Sequence, residues 1–131
     1  MTLSRSNMKF TILGDPRTKK NSQQIYTNRS TGKPFITQSK AYKEYAESFL
    51  WQVPPMAKVG IDCPVEVTCI YYRATKHRVD LTNLLAATHD LLVESGVLAD
   101  DNCKIVASVD GSRVMHDKDN PRVEIEITEE E

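Results

Sequence analysis

The stretch VDLTNLLAATHDLLVESGVLADDNCKIV, Val79 to Val106, constrains the fold of the chain more than any other. Asp80 opens a run in which Leu84, Leu85, Thr88, Leu91 and Leu92 recur at helical spacing, about 100° per residue. Asn83, Ala86, Ala87, Asp90 and Glu94 are expected on the opposite face. Aspartate is a favoured N-cap, because its carboxylate accepts from the exposed N–H groups of the first turn. Gly96 stands where a left-handed residue ends a helix. The helix is then a strut about 22 Å long at 1.5 Å per residue. Val97, Leu98 and Ala99 lead on to Asp100, Asp101 and Asn102. A chain returning along the helix through Val97–Ala99 brings Asp100 and Asp101 back beside Asp80. Two converging carboxylate clusters are what an oxygen-ligated Mg²⁺ or Mn²⁺ site requires. Taken singly each is ordinary: an aspartate before a helix caps it, and Asp-Asp-Asn makes a turn through local bonds.

The pattern Asp-x-x-Asn-Leu, a helix with Ala and Asp, Gly-Val and then Asp-Asp resembles the core of RusA-type Holliday junction resolvases. In that family the motif reads Asp-x-Asp-Asn-x-x-Lys-Ala, with a second Asp-Asp downstream. Asp80 matches the first aspartate, Asn83 the asparagine, Ala87 the alanine, Asp90 the helix aspartate and Asp100-Asp101 the distal pair. The resemblance extends to the Pro16–Ser22 turn and the Pro121–Thr128 strand. Thr82 stands where the family has its second aspartate, and Ala86 where it has a lysine. The resemblance implies a Mg²⁺- or Mn²⁺-dependent endodeoxyribonuclease acting on four-way junctions or related branched DNA as a homodimer. It makes Asp80, Asp101 and Asp100 the metal-binding and catalytic carboxylates, with Thr82, Asn83, Asp90 and Glu94 as auxiliary groups. The two departures keep open a rival, a catalytically weakened or inactive branched-DNA-binding protein of the same fold. A structural or interaction domain is the third alternative; it predicts no salt-sensitive DNA affinity.

At 131 residues the chain has the length of one domain, residues 1–131, with residues 1–7 and 128–131 expected as flexible tails. No stretch approaches the roughly 18 apolar residues of a membrane span. The first ten residues lack the apolar core of a signal peptide. Cys63, Cys69 and Cys103 are odd in number and lack paired ligand spacing, which argues against disulfides or zinc and for the cytoplasm.

The net charge of −1 conceals an asymmetry. Residues 1–43 hold nine Lys or Arg against Asp15 alone, whereas the remainder is strongly acidic. A basic N-terminal third can form a phosphate-binding surface even when the whole chain is near neutral. Lys19 and Lys20 are candidate phosphate contacts, with Asn21 as a neutral donor. Lys76 and Arg78, in the RATKHR segment leading into Asp80, form the second candidate DNA-contacting element.

The remaining elements follow from periodicity. Lys9–Leu13 reads as a strand broken by Gly14-Asp15-Pro16. The polar, basic stretch after it reads as a loop or irregular hairpin, with Ile25, Phe35 and Ile36 touching the body. Ser39 caps a helix running to about Val53. Pro64–Tyr72 alternates as a strand, Lys104–Val109 is another, Ser112–Met115 extends or bends it, and Val123–Ile127 alternates last. The fold class is α+β: a small mixed sheet with two helices on one face, RusA-like. His77, His89 and His116 share no ligand spacing, and no nucleophile elbow, P-loop or dinucleotide fingerprint is present.

Overall fold

Along Val65–Arg73 the side chains of Val65, Val67, Cys69 and Tyr71 are buried while those between them are half-buried. That period of two makes the segment a strand with one face on a core. The computed structural model describes residues 7–19, 23–27 and 29–130, with the backbone alone for 23–27 and 34–38. In chain order the elements are β1 (Asn7–Leu13), β2 (Gln23–Thr27), β3 (Pro34–Gln38), α1 (Lys40–Gln52), β4 (Val65–Arg73), α2 (Leu81–Glu94), β5 (Val106–Ser108), β6 (Arg113–His116) and β7 (Arg122–Glu129). A short 3₁₀ turn at Pro55–Ala57 follows α1.

The main sheet runs β1-β7-β4, with β5 and β6 both on the far edge of β4. β1 and β4 are antiparallel to β7, whereas β5 and β6 are parallel to β4. The parallel pairing arises because α2 carries the chain back across the sheet before it re-enters as β5. The sheet is therefore mixed, and the α+β expectation holds. Its inner face, with Ile12, Val67, Tyr71, Val123 and Ile125, packs against Tyr42 and Phe49 of α1 and Leu84, Leu91 and Leu92 of α2. Within this core the Tyr71 hydroxyl lies 2.7 Å from Thr88 Oγ1, which also donates to the Leu84 carbonyl.

Local chemistry sets the element ends. Ser39 caps α1 by accepting from the Tyr42 N–H at 3.2 Å, as its sequence position predicts. Gly96 ends α2 with φ of +87°, and Gly111 turns the chain between β5 and β6 at +85°. At the exposed edge of the sheet, Gln52 bonds both the N–H and the carbonyl of Leu13, at 2.7 and 2.8 Å. The last residue of β1 thus has its backbone groups satisfied by a side chain instead of another strand.

Four boundaries differ from the sequence reading. Asn7 and Thr128 pair with one another, so the strands run into both expected tails: β1 starts at Asn7 and β7 reaches Glu129. The stretch after Gly14 contains a true antiparallel hairpin, β2-β3, forming its own two-stranded sheet. The expected contacts of Ile25, Phe35 and Ile36 with the body lie outside the described side chains. The expected Lys104–Val109 strand is trimmed to Val106–Ser108, because Asn102 accepts from the N–H groups of Ile105 and Val106 and holds a turn there.

Candidate active site

Asp80 sits at the start of α2, but its carboxylate does not cap the helix. The Asn83 side-chain amide donates to Asp80 Oδ2 at 3.2 Å, and the backbone carbonyl of Asp80 accepts from Asn83 and Leu84. The expected capping bond is replaced by this side-chain pair. Asn83 thereby orients the carboxylate and leaves its second oxygen open towards solvent.

The distal acidic pair divides into two roles. Asp100 Oδ1 accepts from the Asp101 N–H at 2.7 Å, and Oδ2 accepts from the Asn102 amide at 3.2 Å. Both oxygens of Asp100 are occupied in forming the turn. The exposed Asp101 carboxylate engages no other described residue in a hydrogen bond or ion pair. Its field reaches His89 in the third turn of α2. Thr82, Ala86 and His89 fall on one stripe of that helix, four and seven residues apart. The two departures from the family motif thus share a stripe of α2 with the histidine that the Asp101 field reaches.

Asp90 and Glu94 lie towards α1 instead. Lys19 Nζ donates to Asp90 Oδ2 at 2.8 Å. Glu94 lines a groove of about 420 Å³ with Lys19, Tyr42, Lys43 and Glu47. Burial pushes the Tyr42 hydroxyl up to about 12, and the fields of Asp90 and Glu94 add to that rise. Lys19 is thus held by a carboxylate, which offsets its charge as a phosphate contact. Lys20 and Asn21 lie outside the described residues.

His89 is half-buried, and its Nε2 has no hydrogen-bond partner among the described residues. Burial pushes its imidazole below the usual histidine range, against the opposing fields of Asp101 and Asp90. The sequence offers no spacing signal for it; Asp90 is its neighbour in the chain, whereas Asp101 comes within reach only through the fold.

The basic loop between β4 and α2 is fixed by contacts that the sequence does not announce. Asp15 Oδ1 accepts from the Ala74 N–H at 2.8 Å, and Arg73 and Arg17 flank that carboxylate at 3.8 and 3.7 Å. Arg73 also donates to the His77 carbonyl at 3.4 Å. His116 Nε2 lies 3.3 Å from the Ala74 carbonyl, which only accepts, so the contact uses the Nε2–H tautomer. Lys76 and Arg78 remain exposed, with no ion pair among the described residues.

A hard divalent cation takes oxygen donors, and Asp80 and Asp101 supply carboxylates not committed to any cation among the described residues. No group of three or more His, Cys, Asp or Glu side chains among the described residues is gathered closely enough to hold an ion. The expected convergence of all three carboxylates into one cage is therefore absent from the single chain. Mg²⁺ does not demand such a cage, because it is commonly held by one or two carboxylates together with substrate phosphates. Asp80 and Asp101 offer oxygen donors of the kind that mode uses, whereas Asp100 shapes the turn.

Among the described residues no helix is long and apolar enough to cross a membrane. Compared one by one with curated proteins, the chain matches none significantly. The family model for endodeoxyribonuclease RusA matches residues 11–128, from the first strand through both helices and the acidic turn to the last strand. The chain belongs to the RusA endodeoxyribonuclease family.

Proposed function

We propose that the protein is a divalent-metal-dependent endonuclease that resolves four-way junctions or related branched DNA by phosphodiester hydrolysis. The observation that carries this reading is the family match over residues 11–128, which contains both Asp80 and Asp101. Asp80 and Asp101 hold Mg²⁺ or Mn²⁺, and Asn83 positions the Asp80 carboxylate. When bound, the cation offsets charge developing on the phosphoryl oxygens and acidifies the attacking water. Thr82 contributes a hydroxyl in place of a carboxylate, so metal affinity in the free protein is weak and rises with DNA bound. Lys76 and Arg78 take the phosphate-clamping role that Ala86 cannot fill. A junction presents two strands for symmetric cutting, which a two-fold homodimer matches. Three unpaired thiols suit a cytoplasmic setting.

The same two departures favour a second reading, a branched-DNA-binding protein with weak or no cleavage. A labelled four-way junction incubated with Mg²⁺, Mn²⁺ or EDTA separates the two. Nuclease function requires paired nicks with either metal, none with EDTA, and their loss in Asp80→Asn with folding intact. Junction binding with no nicks under any metal condition supports the binding-only reading. Absence of salt-sensitive binding refutes both.

A further inference from the structure

The two edges of the main sheet are finished differently. On β1, Gln52 occupies both outward-facing backbone groups of Leu13. On β6 all four residues are exposed, and among the described residues the strand pairs with β4 alone. The Asp117 N–H donates to the Arg73 carbonyl at 2.9 Å, which fixes the alternation of the backbone. The peptide groups of Arg113, Met115 and Asp117 point at β4, and those of Val114 and His116 point away from it. The outward N–H and C=O groups of Val114 and His116 have no partner among the described residues. A free strand edge is a template for another strand.

We propose that the occupant of this edge is β6 of a second copy of the chain, paired antiparallel across a two-fold axis at Met115. Val114 then exchanges both backbone bonds with His116 of the second copy, and His116 with its Val114, so every free group is used. Met115 meets its own counterpart in the close kind of antiparallel pair, with Cα atoms about 4.5 Å apart. Its side chain, 46% exposed in the single chain, is covered there. The same register sets Arg113, which has no ion pair among the described residues, opposite Asp117 of the second copy. Opposite charges across strands favour pairing, and a two-fold makes the contact twice. An axis at Val114 sets Arg113 against Met115; one at His116 sets Met115 against Asp117 and opposes two imidazoles. The edge is thus complementary to itself in one register, which selects a second copy over an unrelated strand. Asp117 is already held by Arg122 at 2.9 Å, so the added cation fixes register more than it adds strength. Four residues a side make a small interface, so the dimer is expected to depend on concentration. The inference rests on the two-fold homodimer of the proposed function and gives it a surface.

The test reads mass and crosslinking, not cleavage. Sedimentation of the full chain from about 1 to about 200 μM should show the mass rise from 14.8 kDa towards twice that value. Val114→Pro removes one outward N–H and leaves the bonds to β4 intact, a change that an edge strand tolerates. It should keep a cooperative thermal transition and stay at 14.8 kDa throughout. If it fails to fold, Met115→Asp, which opposes two carboxylates at the axis, takes its place. In a Cys63→Ser, Cys103→Ser background, with Cys69 buried, Met115→Cys should oxidise to a covalent dimer at least about tenfold faster than Arg113→Cys. Only the pair on the axis comes within disulfide reach. A parent dimer that the folded edge variant leaves whole, or equal oxidation of the two cysteine variants, overturns the inference and leaves a homodimer built on another surface. A parent that stays at 14.8 kDa at every concentration overturns the inference and the homodimer together, while junction cleavage still decides the nuclease reading.

Discussion

Lys19 donates to Asp90 at 2.8 Å, so a cation with the sequence signature of a phosphate contact is neutralised by a carboxylate with that of an auxiliary ligand. The pair ties the strap after β1 to the third turn of α2. With the two side chains 39% and 45% exposed, the contact contributes about 0.2–1 kcal/mol. Lys19→Ala should therefore lower stability by no more than about 1 kcal/mol in denaturant titration. Asp90→Asn should release Lys19 and steepen the slope of log affinity against log salt by about 0.9 on duplex arms. A parent slope that flattens by this amount on Lys19→Ala would mean that Lys19 abandons Asp90 when DNA is bound.

Asp100 and Asp101 are adjacent, but their bonding separates their consequences. Asp100→Ala removes two acceptors from the turn and should cost about 1–2 kcal/mol of stability. Cleavage should persist in that variant wherever it is folded. Asp101→Asn removes a carboxylate with no structural partner among the described residues, so the melting temperature should hold. Junction cutting should fall by about 100-fold or more, the scale expected when an interaction used only in the transition state is lost. The reverse pattern, a dead Asp100→Ala and an active Asp101→Asn, would exchange their roles.

Sequence-local features were legible and long-range pairings were not. Ser39 and Gly96 each act through their own few neighbours, so the cap and the helix end follow from residue type alone. The helix face holding Leu84, Leu91 and Leu92 follows from spacing, but Ala87, expected outside, is buried because α1 packs close to that side. The split of Lys104–Met115 into two short strands depends on β4 offering successive places along one edge, which periodicity cannot reveal. The acidic pair was visible, but the inward use of both Asp100 oxygens was not, since aspartates in a turn and in a metal site look alike in sequence. Asp15 read as part of a Gly-Asp-Pro break; its contact with Ala74 spans 59 residues and has no local signal.

His89 makes stability depend on pH. Burial disfavours its charged form, so its folded pKa lies below the unfolded value of 6.5. The unfolded chain therefore binds the extra proton first as pH falls. Stability from this group is complete above the unfolded pKa and declines as pH drops through it. Thermal melts at about pH 7 and about pH 5 should show a smaller acid-side loss in His89→Gln than in the parent. An equal loss in both proteins would show that the imidazole is solvated enough to titrate normally.

Thr82 and Ala86 decide how far the chain shares its family's chemistry. Both are exposed on the stripe of α2 that includes His89, towards which the Asp101 field is directed. Thr82→Asp places a carboxylate in the first turn, where the helix dipole favours negative charge by about 0.3–1 kcal/mol. Folding should therefore be unharmed, and the Mg²⁺ concentration for half-maximal cleavage should fall. Ala86→Lys adds a cation one turn further on, at a position with no buried neighbour to displace, and should strengthen junction binding. The new lysine also lies four residues from the substituted aspartate, close enough for the two to pair. The double substitution should accordingly gain less in binding than the sum of its parts and more in cleavage rate than Thr82→Asp alone. A cleavage rate that falls in Thr82→Asp, from crowding against Asp80 and Asp101, would mean that the parent site is already complete with its own two carboxylates. If neither the parent nor the double variant cuts branched DNA with Mg²⁺ or Mn²⁺, the chain binds junctions without resolving them.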